Sequence, residues 1–182
     1  QRIDPFLLQL RIDVASGDRT AGEGNVLSGN SGTNSDGIEI DNAGADNNKI
    51  YGNYIGTNYD GTAAIANARH GVVIYDGVQG TEVGGTGTGE GNIISGNTTH
   101  GVVIDGNGVS STTGNVVQGN IIGLNATGTA KIVNGDSGIR IFGGPGANTI
   151  GGTTTAARNV ISGYVDGIYI QDADGIMIQG NY

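Results

Sequence analysis

Apolar residues along this chain fall in short runs that alternate with period two, set between glycines and asparagines. One column reads Gly, apolar, any residue, Ile: "GIEI" at 37, "GVVI" at 71, "GVVI" at 101, "GIRI" at 138 and "GIYI" at 167. A second column begins on asparagine: "NVLSGN" at 25, "NYIGTN" at 53, "NIISGN" at 92, "NIIGLN" at 120 and "NVISGY" at 159, and it starts again at Asn181. A third is a single apolar position, Ile50, Val83, Val117, Ile150 and Ile178, three or nine residues ahead of the column asparagine. Period-two alternation bounded by Gly and Asn predicts three short strands in each unit, each with one inward face.

The units repeat. Sliding the chain along itself by 67 residues aligns 53–96 with 120–163 at about 20 of 44 positions. The column asparagines are spaced 28, 39, 28, 39 and 22 residues apart, so one 67-residue repeat is two turns, a short one and a long one. Strands this short cannot bury an apolar face as isolated hairpins. Wound three to a turn, each pairs in parallel with its equivalent about 4.8 Å away, and the inward Ile and Val stack into one column. Asparagines recurring at one corner can hydrogen-bond along the stack and tolerate left-handed backbone, which glycine beside them also supplies. The fold predicted is all-β: a right-handed single-stranded parallel β-helix of about five turns plus partial ends. It forms a single domain over residues 1–182, regular from about 22 to 182. Residues 1–21 are an irregular or partial first turn in which Leu10, Ile12 and Val14 form an early strand.

Composition narrows the partners. Thirty-seven glycines and no tryptophan depart from an ordinary globule, but the β-branched runs exclude disorder, and no three-residue glycine period points to collagen. A formal charge of −9 with no basic run makes nucleic acid and anionic membranes poor partners. No apolar stretch approaches the length of a membrane span, and residues 1–14 lack the pattern of a signal peptide. Without cysteine there is neither a disulfide nor a thiolate metal site.

The phrases "GNYIGTNYDGTAAIAN", "GNIIGLNATGTAKIVN", "NTIGGTTTAARNVISG" and "GNIISGN" resemble those of bacterial right-handed parallel β-helix repeat proteins, of the pectate-lyase-like superfold. The resemblance covers roughly residues 22–182 and implies a secreted or cell-surface protein. It specifies fold more than activity, because such β-helices include lyases, galacturonases, epimerases, tailspikes and adhesins. The chain stops in mid-phrase at Asn181-Tyr182 with no capping helix, so it is expected to be a segment of a longer protein, or else to stack end to end into a filament.

Extra length recurs every second turn. Residues 59–70 and 126–137 are expected to form one surface ridge and 84–91 and 151–158 another, with the short turns carrying theirs at 41–49 and 105–115. Beside them, the residue after the final Ile of the second strand column reads Asp41, Tyr75, Asp105, Phe142 and Gln171. Aromatic rings stack on sugars and carboxylates bond their hydroxyls, so Asp41, Tyr75, Asp105 and Phe142 are the candidate glycan-binding residues. The alternative is that they are solvent-facing strand ends. Asp41 and Asp105 would lie two turns, roughly 9–10 Å, apart, near the wide limit for an inverting glycosidase.

His70 and His100 should stack on adjacent turns, with Ser137 next; two imidazoles without a third ligand make a weak metal site, and no metal is assigned. "NYDGT" at 58–62 has the look of a calcium loop, but Thr127 replaces Asp60 in the second repeat, and Asx-turn chemistry explains both. Lyases of the resembled fold set an acid cluster around an arginine or lysine base; Arg140 projects outward among Glu39, Val73, Val103 and Tyr169 without one, so no catalytic residue is assigned. Threonines form no array repeated on every turn, as ice binding would need, and no cofactor is implied, a structural calcium ion in the 58–62 loop being the alternative reading. The function expected is a non-catalytic extracellular or cell-surface β-helix, serving as stalk, adhesin, glycan-contacting module or assembly subunit. The alternative is a polysaccharide lyase or glycoside hydrolase working on an outer strand face.

Overall fold

A computed structural model describes residues 24–109, 111–162 and 165–182; the early strand expected at Leu10, Ile12 and Val14 lies outside them. Fifteen strands of two to four residues form three parallel five-stranded sheets, and consecutive strands of the chain visit the three sheets in rotation. Sheet I takes Val26–Leu27, Tyr54–Ile55, Ile93–Ile94, Ile121–Ile122 and Val160–Ile161. Sheet II takes Ile38–Ile40, Val72–Tyr75, Val102–Asp105, Ile139–Phe142 and Ile168–Ile170. Sheet III takes Lys49–Ile50, Glu82–Val83, Val116–Val117, Thr149–Gly151 and Met177–Gln179. This is a five-turn parallel β-helix with three strands per turn. Its one helical element is a single 3-10 turn, Thr155–Ala157, among the described residues.

Pairing is strictly in register: Ile55 opposes Ile94, Ile74 opposes Ile104, and Val83 opposes Val117. The inward residues of the three sheets therefore meet as one apolar column. Ile55, Ile74, Ile94, Ile104, Ile122 and Ile150 are all wholly buried in it. In the fifth turn the same column opens, leaving Ile170 39% and Ile178 47% exposed.

Asparagine ladders bind the corners. At the corner entering sheet I, Asn25, Asn53, Asn92, Asn120 and Asn159 each donate a side-chain amide hydrogen to the side-chain carbonyl oxygen of the next asparagine in the series, which ends at Asn181, at 2.9–3.0 Å. A second ladder, leaving sheet I, departs from the repeat phrase. Its members are Asn30, Asn67, Asn97 and Asn134; in the long turns Asn67 and Asn134 stand where the phrase would place Asn58 and Asn125. In the long turns the chain leaves the coil after sheet I, closes a loop through the antiparallel bridges Thr57–Ala64 and Leu124–Lys131, and only then regains the corner. Asn58 and Asn125 are left to cap those loops, each accepting from two backbone N–H groups at 2.9–3.1 Å. A third corner, entering sheet III, pairs Asn115 with Asn148 at 3.0 Å and gives Asn115 the backbone N–H of Thr81 at 2.9 Å.

The first expected ridge, of the loops after sheet I, is present. The loops 57–66 and 124–133 of the two long turns touch over the short turn between them, where the Ala126 N–H donates to the Gly61 carbonyl at 3.0 Å. Replacing Asn58 by alanine removes a cap from an exposed loop only, and is expected to cost about 1 kcal/mol in a urea unfolding titration.

Candidate functional site

Sheet II has the longest strands and the richest outer face. Its outward positions form two columns: Glu39, Val73, Val103, Arg140 and Tyr169, and then Asp41, Tyr75, Asp105, Phe142 and Gln171. The candidate glycan column is therefore assembled as the sequence places it: Tyr75 opposes Asp105, and Asp105 opposes Phe142, on three consecutive turns. Asp41 follows Ile40, the partner of Ile74, at the head of the same column. All four side chains are half-buried. The backbone turns sharply just beyond them, with Asn42, Asp76 and Gly143 in the left-handed region at φ 72°, 48° and 76°.

The two ends of this face differ in charge. At the first turns Asp36 accepts from the Arg69 guanidinium in a two-pronged ion pair, and Glu39 lies 3.8 Å from the same arginine. Burial, and after it the nearby Asp36, raises the Glu39 carboxyl above its ordinary pKa. Burial likewise raises Asp105, with its Oδ1 accepting from the Asn107 N–H at 2.8 Å. Tyr75 sits among carboxylates; burial and the charges of Asp105, Asp41 and Asp76 push its phenol up. One oxygen of Asp41 is buried with no hydrogen-bond partner among the described residues.

At the far end stands a cation. The Arg140 guanidinium lies 4.4 Å from the centre of the Phe142 ring and 5.6 Å from that of Tyr169. It has no carboxylate partner among the described residues, and its Nε is buried without a hydrogen bond. The sequence places Arg140 outward and finds no acid cluster around it; the stacking on Phe142 depends on rotamers that no spacing reveals.

Between the two ends, His70 and His100 stack with ring centres 4.9 Å apart and planes 14° from parallel. Thr99 Oγ1 is 2.6 Å from His70 Nδ1. His100 Nδ1 accepts from the Ser137 N–H at 3.2 Å, while Arg140 Nη1 lies 3.3 Å from its Nε2. A neutral imidazole has only one acceptor nitrogen; with Nδ1 accepting from Ser137, Nε2 carries the hydrogen, so Arg140 finds no acceptor there and keeps unspent hydrogen-bonding capacity. Among the described residues no three His, Cys, Asp or Glu side chains converge as metal ligands. In the 58–62 loop Asp60 accepts from the hydroxyl and N–H of Thr62, which closes an Asx turn.

Both histidines are held neutral. Burial is the main cause, moving His70 from 6.5 to about 4 and lowering His100; the charges of Arg69 and Arg140 add to the effect at His70, and Asp36 opposes it. In the unfolded chain these rings take up protons near pH 6.5, whereas the folded His70 does so only near pH 4. The unfolded state thus binds more protons in that window, and stability falls as pH falls through it. The urea midpoint is expected to decline between pH 6.5 and 4 more steeply in the wild type than in His70→Gln. Equal slopes would show that burial of the ring has no such cost.

Comparison with protein-family models, with curated proteins and with solved structures finds no match to this chain.

Proposed function

We propose that this β-helix is a non-catalytic, extracellular or cell-surface module that contacts polysaccharide along the outer face of sheet II. The observation that carries the reading is the in-register column of Asp41, Tyr75, Asp105 and Phe142, where carboxylate and ring alternate on an open strip. Extended sugar chains suit such a strip, since rings stack on aromatic faces and hydroxyls bond carboxylates. Phe142 already has the Arg140 guanidinium against its ring, which leaves Tyr75 as the freer platform. Arg140 in turn favours glycans that carry a carboxylate or sulfate over neutral ones, because a guanidinium without an acidic partner gains most from an anionic group.

The enzyme alternative meets a geometric obstacle. Asp41 and Asp105 are two strand spacings apart, roughly 9–10 Å, and the phenol of Tyr75 occupies the turn between them, where an inverting hydrolase would hold its water. A role as stalk or assembly subunit, in a longer chain or in stacked copies, is compatible with glycan contact.

Retention on an array of acidic and neutral polysaccharides tests the reading. Tyr75→Ala and Arg140→Gln are each expected to weaken binding about tenfold, or ~1.4 kcal/mol. Only the arginine variant should also lose the salt dependence of binding. Unchanged retention in both would sink the proposal.

A further inference from the structure

The outer face of sheet II holds two hydrogen-bond donors set against each other. Ser137 is 2% exposed, and its backbone N–H has His100 Nδ1 as acceptor at 3.2 Å. A backbone N–H this deeply buried is costly to leave unpaired, and it cannot turn away. Nδ1 therefore keeps its lone pair and the ring hydrogen sits on Nε2. Asp136 does not compete for the tautomer, because its Oδ2 lies 3.9 Å from Nδ1, beyond hydrogen-bonding range. On the other side Nε2, with its hydrogen, meets Arg140 Nη1 at 3.3 Å. Arg140 comes from the next turn, opposite Val103, so the pair is built across one strand spacing.

Among the described residues no acceptor satisfies this pair. Arg140 has no carboxylate partner there, and its Nε is buried without a hydrogen bond. Both groups are nonetheless held in place. The guanidinium lies 4.4 Å from the centre of the Phe142 ring and 5.6 Å from that of Tyr169, and the imidazole stacks on His70 with ring centres 4.9 Å apart. His100 is 4% exposed and Arg140 half-buried, so the donors converge at the floor of the face, where water screens charge weakly. An anionic oxygen suits that place best, since it accepts from both donors and offsets the guanidinium charge.

We propose that His100 Nε2–H and the Arg140 guanidinium together hold one oxyanion of the bound glycan, a carboxylate or a sulfate ester. The proposal rests on the reading of sheet II as a glycan-contacting face. It adds the point at which the acidic group sits, between the third and fourth strands of the sheet, and a second residue that recognises it. Tyr75, one turn before Asp105 in the neighbouring column, is left for the adjoining sugar.

The test is a titration of the isotope-labelled protein at neutral pH with methyl glucuronide, with sulfated glucose and, as the neutral control, with methyl glucoside. Imidazole nitrogen signals report the result. The free protein should show His100 with its hydrogen on Nε2. Saturable movement of that nitrogen with the two acidic sugars and none with methyl glucoside is expected, and the acid that binds more tightly identifies the group. His100→Asn, whose amide oxygen still accepts from Ser137 while the Nε2 donor is gone, should weaken acidic sugars about tenfold; His100→Gln, which returns a donor near that place, should weaken them only about twofold. The spectrum of each variant reports whether it folds, and if neither does, the wild-type response of Nε2 decides. A hydrogen on Nδ1 in the free protein, a stationary Nε2 while acidic sugars move the Arg140 signals, or unchanged affinity in folded His100→Asn overturns the proposal and leaves glycan contact standing. If acidic and neutral sugars alike leave every signal of the face unmoved, the glycan reading falls with it.

Discussion

Replacing Asn92 by leucine is expected to lower the unfolding free energy by about 3–5 kcal/mol, among the largest effects available to a single side chain here. Asn92 is wholly buried and its side chain makes four hydrogen bonds to three residues. It accepts from the backbone and side-chain N–H groups of Asn53 at 2.9 and 3.0 Å, and donates to the Ile50 carbonyl at 2.7 Å and to Asn120 Oδ1 at 2.9 Å. Leucine keeps the branched outline but is bulkier, and it strands donors and acceptors in the turns on either side, each at the desolvation cost of an unmade bond. Paired urea titrations of Asn92→Leu and Asn58→Ala separate ladder from loop cap. Similar losses in the two would contradict the ladder's role.

Gly84→Ala is expected to cost at least about 3 kcal/mol. Gly84 holds φ +74°, and a Cβ there would lie 2.1 Å from the Gln118 carbonyl oxygen and 2.3 Å from Asn120 Oδ1. That contact cannot relax locally, because Gln118 N–H donates to the Val83 carbonyl at 2.9 Å and Asn120 belongs to the buried ladder. Gly108 supplies the control. Its φ is +81° but nothing lies within 4 Å of the added methyl, so Gly108→Ala isolates the backbone cost, about 1 kcal/mol. A thermal melt in which both variants lose the same amount would show that close approach between turns is not what fixes glycine at 84.

These two positions show which parts of the fold a sequence can display. The inward Ile and Val and the first asparagine ladder recur at fixed offsets because every turn stacks on the next, so periodicity alone reveals them. The second ladder was hidden because its spacing is broken by the loops at 57–66 and 124–133: Asn58 continues the local phrase, whereas Asn67 occupies the corner. Only the return of the chain to the coil decides between them. The Asn115–Asn148 pair lay two residues ahead of the Val117 and Ile150 column, a regularity present in the sequence but obscured by Thr81 at the equivalent place.

The candidate site was legible as a column and not as a chemistry. In-register stacking follows from the repeat, so Tyr75, Asp105 and Phe142 were bound to align, as were His70 and His100. What the repeat cannot encode is side-chain direction across turns. The stacking of Arg140 on Phe142, its convergence with Ser137 on His100, and the pairing of Arg69 with Asp36 all arise where outer-face residues differ from one turn to the next.

Size-exclusion chromatography with light scattering, run on the protein mixed with a polyuronate, a sulfated polysaccharide or a neutral glucan, addresses the account most directly, since one trace reports both binding and polymer mass. Co-elution with the acidic polymers at undiminished polymer mass, weakened by Arg140→Gln, is the expected result. A falling polymer mass on incubation, or absence of co-elution with every polymer, would contradict it.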